Sequence, residues 1–287
     1  MSIRLRFRNA LLGAALVPAI AGLAAAQTPI DSLRLKYFLP RPTVRTASNW
    51  TSRGIPGISV QSPSGFSAEA GDVFFGVGFQ QRTRYVHQAD GAVVAGFGVG
   101  SSSRSIAIET AVTSYSTVRS GLGSHMSLNF NASRMVDDYT GIGVGWENAV
   151  HTSGTDGQTS VYLSATRLIA LRDFGTPFSE MSITAGVGTG RFRPEHRVQY
   201  DLNGIGEFGS VAIRIIRPVS AIADWSGQNL TIALSFAPFA HFPFVITPAM
   251  TDITHNSGDG RRFIASAGLS VNVGQLRALL GGNRDSR

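Results

Sequence analysis

Cysteine is absent from all 287 residues, and with it go a disulfide framework, thiolate metal sites and a cysteine nucleophile. Charge is scarce. Asp, Glu, Lys and Arg make up 15% of the chain, where about a quarter is usual for a globular protein. Lysine is almost missing, Lys36 standing alone beside 24 arginines, a bias that high-GC coding produces as readily as function does. After residue 70 no stretch carries the i, i+3, i+4, i+7 apolar spacing of a long amphipathic helix. The G-x-S-x-G elbow, the H-E-x-x-H pair and the phosphate-binding P-loop are also missing. What is present is a glycine-rich chain, with 33 glycines, long enough to bury a sizeable core.

Residues 1–26 read as an export address. Arg4, Arg6 and Arg8 precede an uncharged apolar run from Ala10 to Leu23, and Ala24-Ala25-Ala26 offers small residues for cleavage before Gln27. The run is short for a membrane anchor and carries Pro18. Its removal leaves 22 basic against 18 acidic residues, too slight an excess to point to nucleic acid. Residues 27–71 differ in composition, with Pro29, Pro40, Pro42, Pro56 and Pro63. They read as a periplasmic extension or a plug, with a poorly ordered leader as the alternative.

From 72 to 273 the apolar period is two. Met126, Leu128, Phe130 and Ala132 alternate with Ser127, Asn129, Asn131 and Ser133. Leu230, Ile232, Leu234 and Phe236 face away from Thr231, Ala233 and Ser235. Counted this way the chain holds twelve strands, near 72–83, 91–101, 105–117, 124–136, 139–151, 159–172, 178–191, 208–216, 219–226, 229–237, 241–252 and 262–273. Most approach the roughly 9–11 residues that a tilted strand needs to cross a bilayer. Connectors alternate long and short, except after the ninth strand, as they do when loops lie on one side of a membrane and turns on the other. Turn chemistry marks several of them: Asp90-Gly91, Asp137-Asp138, Asp156-Gly157, Asn203-Gly204 and Asp259-Gly260.

The second face separates water from lipid. A soluble sheet would expose Lys, Glu and Gln at mid-strand, whereas these positions hold Gly, Ser, Ala, Thr and Asn. Isolated charges, Glu109, Glu147, Asp224 and Arg214, join them and suit a crowded, hydrated lumen, while Val, Ile, Leu and Phe on the other face suit hydrocarbon. Phe74, Tyr85, Phe97, Trp146, Tyr162, Phe192, Trp225 and Phe242 are candidates for interfacial girdles. Arg167 falls by parity on the apolar face and calls for a bulge or a register shift. The short strands 219–226 and 229–237 also strain a full crossing.

The signal-like start, the glycine-rich alternating strands and the segment Ala223-Asp224-Trp225-Ser226-Gly227-Gln228-Asn229-Leu230 resemble bacterial outer-membrane β-barrel proteins, and the whole is similar to envelope barrels of the cyanobacterial type. The resemblance implies periplasmic termini, outer-membrane lipid around the wall and the barrel-assembly machinery as a partner. One departure stands out. Such barrels commonly end on an aromatic that the assembly machinery reads, and this chain continues past Val273 to Arg287.

Chemistry is thin. Gly141-Ile142-Gly143-Val144-Gly145 and Gly186-Val187-Gly188-Thr189-Gly190 have the wrong spacing for a dinucleotide fingerprint, and no helix follows them. The six histidines, at 87, 125, 151, 196, 241 and 255, show no i, i+2 pair on one strand, so no metal or other cofactor is expected. Ser124-His125 is the place where a lipid hydrolase would put its nucleophile, but serine abounds here and no enzyme is expected. Arg191, Arg193, His196 and Arg197 in the longest loop would form a cationic mouth that enriches anions. The blander reading is that they bind phosphates of surface lipid or merely solvate the rim. The sequence therefore predicts an all-β, antiparallel, up-and-down transmembrane barrel of about twelve strands. The expected role is a narrow passive channel for small polar solutes. The alternatives are a structural or adhesive barrel without transport, and a soluble secreted β protein.

Overall fold

A computed structural model of the chain describes residues 56–83, 88–152, 159–173, 176–239, 242–256, 258 and 260–274. The export address, residues 27–55, Tyr85, His87, the Asp156-Gly157 turn, His241, Asp259 and the tail beyond 274 lie outside the described residues.

The strands are β1 Asp72–Gln80, β2 Asp90–Gly100, β3 Ala107–Tyr115, β4 His125–Met135, β5 Thr140–His151 and β6 Ser160–Ala170. They continue as β7 Glu180–Gly188, β8 Gly206–Ile216, β9 Val219–Trp225, β10 Leu230–Phe236, β11 Phe244–Thr251 and β12 Arg262–Asn272. Each pairs antiparallel with its neighbours in sequence, and the sheet closes between β1 and β12, from Asp72↔Asn272 to Gln80↔Ile264. Closure leaves no sheet edge unpaired. This is the twelve-stranded all-β barrel that the period-two pattern predicts, with strand bounds within a few residues of those expected.

Successive side chains of a strand point to opposite faces, and here the usual distribution is reversed. The outward face carries exposed apolar residues, among them Val144, Leu163 and Ile232, each with about half of its surface open. The inward face carries buried Ser133, Ser164, Thr166, Thr184, Thr231 and Thr247. The end where β1 begins and β12 finishes is called basal here. The tight turn 217–218 lies there, and the longest connection, 189–205, lies at the opposite, distal end.

Two expectations change once register is known. Phe97, Trp146, Trp225 and Phe242 are exposed, but Phe74, Tyr162 and Phe192 point inward and are buried. Glycine on the neighbouring strand explains the inward rings. Phe74 lies across from Gly96, and Tyr162 lies across from both Gly145 and Gly188. A methyl group at Gly96 or Gly145 would overlap these rings, so each ring fills the groove that its glycine leaves. Arg167 needs neither a bulge nor a shift. It pairs regularly with Thr140, remains on the outward face near the basal end, and reaches Asp137 at 3.2 Å with both side chains about half exposed. The register irregularities lie elsewhere, between Leu128 and Phe130 on β4 and between Arg214 and Ile216 on β8.

Candidate functional site

The interior of the barrel is occupied by the chain itself. Residues 56–68 are all buried, although they belong to no strand. They enter near the basal end, where the Gly57 N–H donates to Ser235 Oγ at 2.7 Å. They turn at residues 60–62 near the distal end and descend again into β1. Such an excursion leaves backbone N–H groups with no ladder partner, and each would be costly if it remained unpaired. Asp224 on β9 resolves the turn. Its Oδ2 accepts the N–H groups of Val60, Gln61 and Ser62 at 2.7, 3.0 and 3.1 Å, and its Oδ1 accepts the Ser62 hydroxyl at 2.8 Å. Pro63 follows, which has no N–H to satisfy and holds Ser62 extended.

The descending arm is held in the same way. The Gly65 N–H donates to Thr166 Oγ1 at 2.8 Å, Asn131 Nδ2 donates to the Phe66 carbonyl at 3.0 Å, and the Ala68 N–H donates to Glu109 Oε2 at 2.8 Å. Space for this arm comes from inward glycines. A side chain at Gly141 would strike the Phe66 ring and the Gly65 carbonyl, and one at Gly98 would strike the Ala68 backbone. This accounts for the glycine run 141–145 in structural terms.

All four candidate lumen charges, Glu109, Glu147, Asp224 and Arg214, lie inside and are buried. Asp224 and Glu109 hold the inserted segment. Arg214 Nε meets Glu180 Oε2 at 2.5 Å near the basal end. Glu147 is gripped by Arg191, with Nε to Oε2 at 2.5 Å and Nη2 to Oε1 at 2.8 Å. Arg191 also donates to the Gln61 carbonyl at 3.0 Å, and its guanidinium lies 4.2 Å from the centre of the Phe192 ring.

The loop arginines were expected at an open mouth, and two of them turn inward. Residues 190–192 form a short 3-10 turn, and α1, Glu195–Gln199, follows it. This fold buries Arg191 and Arg193, and Arg193 Nε donates to the Gly190 carbonyl at 2.9 Å. His196 is exposed and Arg197 half-buried, with Arg197 Nη1 donating to the Asn203 carbonyl at 2.6 Å. Among the described residues of this connection, Arg191 and Arg193 are therefore packed into the distal end of the lumen and do not stand free at its rim. Beneath them Glu109, Asn129, Asn131, Glu147 and Tyr162 enclose a void of about 20 Å3, room for about one water molecule.

The opposite part of the lumen holds an apolar cluster set among hydroxyls such as Thr231, Ser235 and Thr247. Ile58, Val60 and Phe66 of the inserted segment pack on Leu168, Ala212, Ile222, Ala233, Ala249 and Ile264. Here β10 pairs with β11 at Ile232↔Met250, Ala233↔Ala249 and Phe236↔Ile246, skipping Leu234 and Ser235 opposite Pro248 and Thr247. Proline has no N–H to give to the ladder. Across the gap Ser235 Oγ and Thr247 Oγ1 share a hydrogen bond of 2.9 Å on the inner face.

No protein-family model matches this chain, and no curated protein matches its sequence. Ser124 and His125 do not pair, since the Ser124 hydroxyl donates to the Ser120 carbonyl. His151 at the end of β5, His196 in α1 and His255 between β11 and β12 are exposed. Among the described residues no three His, Asp or Glu side chains converge as a metal would require. Sequence reasoning missed the turn 60–62 and the seam at β10–β11. The proline within the strand expected at 241–252 was the available signal for the seam.

Proposed function

We propose that the protein is an outer-membrane barrel with a lumen for small polar solutes, shut in the conformation described by its own residues 56–68. The observation that carries this reading is the reversal of faces. An exposed apolar belt surrounds a polar interior, which in water would be an aggregation hazard and in a bilayer is the favoured arrangement. The basal end then faces the periplasm and the connection 189–205 faces outward.

Conduction requires the inserted segment to leave, because residues 56–68 are buried inside the barrel and hydrogen-bonded to its inner wall. Asp224 is the residue on which this depends, since one carboxylate satisfies three successive N–H groups. In planar bilayers the folded protein is expected to conduct rarely, and Asp224→Asn is expected to conduct often, because a neutral amide oxygen is a weaker acceptor and its NH2 faces donors. Asp224→Asn protein that folds, loosens its plug and still gives no current would leave a purely structural barrel. That second reading is favoured by the hydrogen bonds that tie residues 57–68 to several strands of the wall. Recovery of the native protein in soluble form, with no heat-dependent gel shift, would overturn both.

A further inference from the structure

Two observations described above coincide in space. The apolar part of the lumen is walled by Ala233 on β10, Ala249 on β11 and Ile264 on β12, with Ile222 beside them. The β10–β11 ladder is interrupted on the same wall, at Pro248. We propose that this compartment is a binding site for a single acyl chain drawn from the surrounding bilayer, reached sideways through the β10–β11 seam, and that Ile58 and Val60 occupy it in the closed form. The inference rests on the membrane reading above and adds a ligand class and a route to it.

The chemistry of the compartment selects the occupant. A hydrated polar solute gains little from Ile222, Ala233, Ala249 and Ile264, whereas hydrocarbon packs against them in place of Ile58 and Val60. The hydroxyls of Ser235 and Thr247 on the same wall keep each other as partners. Ile58 and Val60 behave as an internal stand-in for such a chain, packed on the same wall. The route follows from the ladder. A strand pair resists opening through its backbone hydrogen bonds, and here one is missing, because Pro248 has no N–H to give to the Leu234 carbonyl. Outside the seam lie the exposed side chains of Ile232, Leu234, Ile246 and Met250, against which a lipid tail rests. Inside it the joining contact is the Ser235–Thr247 hydroxyl pair at 2.9 Å, and the Gly57 N–H donates to that same Ser235 hydroxyl. Withdrawal of the segment therefore empties the compartment and removes one of the two partners that fix the Ser235 hydroxyl. Seating of the segment and closure of the seam are coupled through one side chain.

The test uses the full chain folded into phosphatidylcholine vesicles doped with a long-chain fatty acid that carries a photoreactive diazirine near the chain end. Labelled residues are mapped by mass spectrometry. In the unaltered protein, label is expected on the outward residues Ile232, Leu234 and Met250. In Asp224→Asn, and independently in the double variant Ile58→Ser with Val60→Ser, label on the inward residues Ala233, Ala249 and Ile264 should rise about tenfold as the emptied state becomes populated. Adding Pro248→Ala to either variant should lower the inward label and leave the outward label unchanged.

Inward residues that remain unlabelled in both plug variants, while hydrogen exchange shows residues 60–62 released and the gel shift shows an intact barrel, overturn the acyl site. Inward label that Pro248→Ala leaves untouched overturns the sideways route. Absence of label on the outward residues as well overturns the membrane reading instead, so the two failures are distinguishable.

Discussion

β4, β5 and β6 run for 11, 12 and 11 residues, whereas β9, β10 and β11 run for 7, 7 and 8, and the two walls hold different interiors. Behind the tall wall the lumen is charged, with Glu147 locked to Arg191 and the amides of Asn129 and Asn131 close by. Behind the short wall it is largely uncharged, with Ile222, Ala233 and Ala249 alternating with Thr231, Ser235 and Thr247, and the inserted segment contributes Ile58 and Val60 to it. Asp224 is the charged exception there, and it is spent on the turn of that segment. The difference teaches that a barrel need not be stabilised uniformly. Where the ladder is long, buried charge is tolerated because it is paired and its backbone frame is rigid. Where the ladder is short and broken, hydrocarbon and a few hydroxyls take over.

The largest effect should come from the tall wall. Arg191→Ala strands Glu147 in a buried site and should cost about 3–5 kcal/mol, read as a lowered denaturant midpoint of the folded barrel. Adding Glu147→Gln should recover much of that loss, and a double variant as unstable as the single one would show that the pair is not the cause. Next comes the belt. Leu163→Arg, on the outward face of β6, should cost about 2–4 kcal/mol in vesicles. Leu234→Arg, on β10, should cost less, because a thinner wall brings the guanidinium nearer to water. Equal penalties would mean that the difference in strand length has no counterpart in the bilayer.

A smaller gain is expected at the seam. Pro248→Ala restores an N–H opposite the Leu234 carbonyl and should add about 1 kcal/mol, seen as slow hydrogen exchange of the new amide at position 248. Free exchange of that amide would mean that something other than the missing donor interrupts the ladder. The smallest effect lies at the basal rim of the tall wall. There the N–H of Tyr139 chiefly, with help from Thr140 and Arg167, holds the Asp137 carboxyl below the ordinary aspartate value. A depressed carboxyl value stabilises the fold above the unfolded value, and the benefit is lost as pH falls through the depressed one. Acid titration should therefore loosen the Arg167–Asp137 contact, visible by NMR as a shift of the Tyr139 amide, with little change in overall stability.

The walls of this molecule were more legible in the sequence than its contents. Strands such as 124–136 declared themselves because alternation persisted over most of their length, and parity alone sent Glu109, Glu147, Asp224 and Arg214 inward. Phe74 and Tyr162 could not be assigned this way. Their inward pose depends on Gly96 and Gly145 of neighbouring strands, and cross-strand register is not written in either strand by itself. Arg191 and Arg193 looked like surface charge because loop polarity says nothing of loops that fold back on their own barrel. The seat of residues 56–68 was hidden for a related reason. Their partners are single serines, threonines and acids scattered over several strands, none of which forms a local motif.

That scatter has a consequence for the order of events in assembly. The segment precedes every strand, yet Gly57 finds its acceptor 178 residues later at Ser235, Val60 finds its own 164 residues later at Asp224, and Ala68 finds Glu109 only 41 residues on. Loops of such unequal span close at very different entropic cost. The arm next to β1 is able to dock as soon as β3 is in place, whereas the turn has no seat until β9 arrives. The same guest is thus tethered beside β1 at a small loop cost and housed at its turn at a large one.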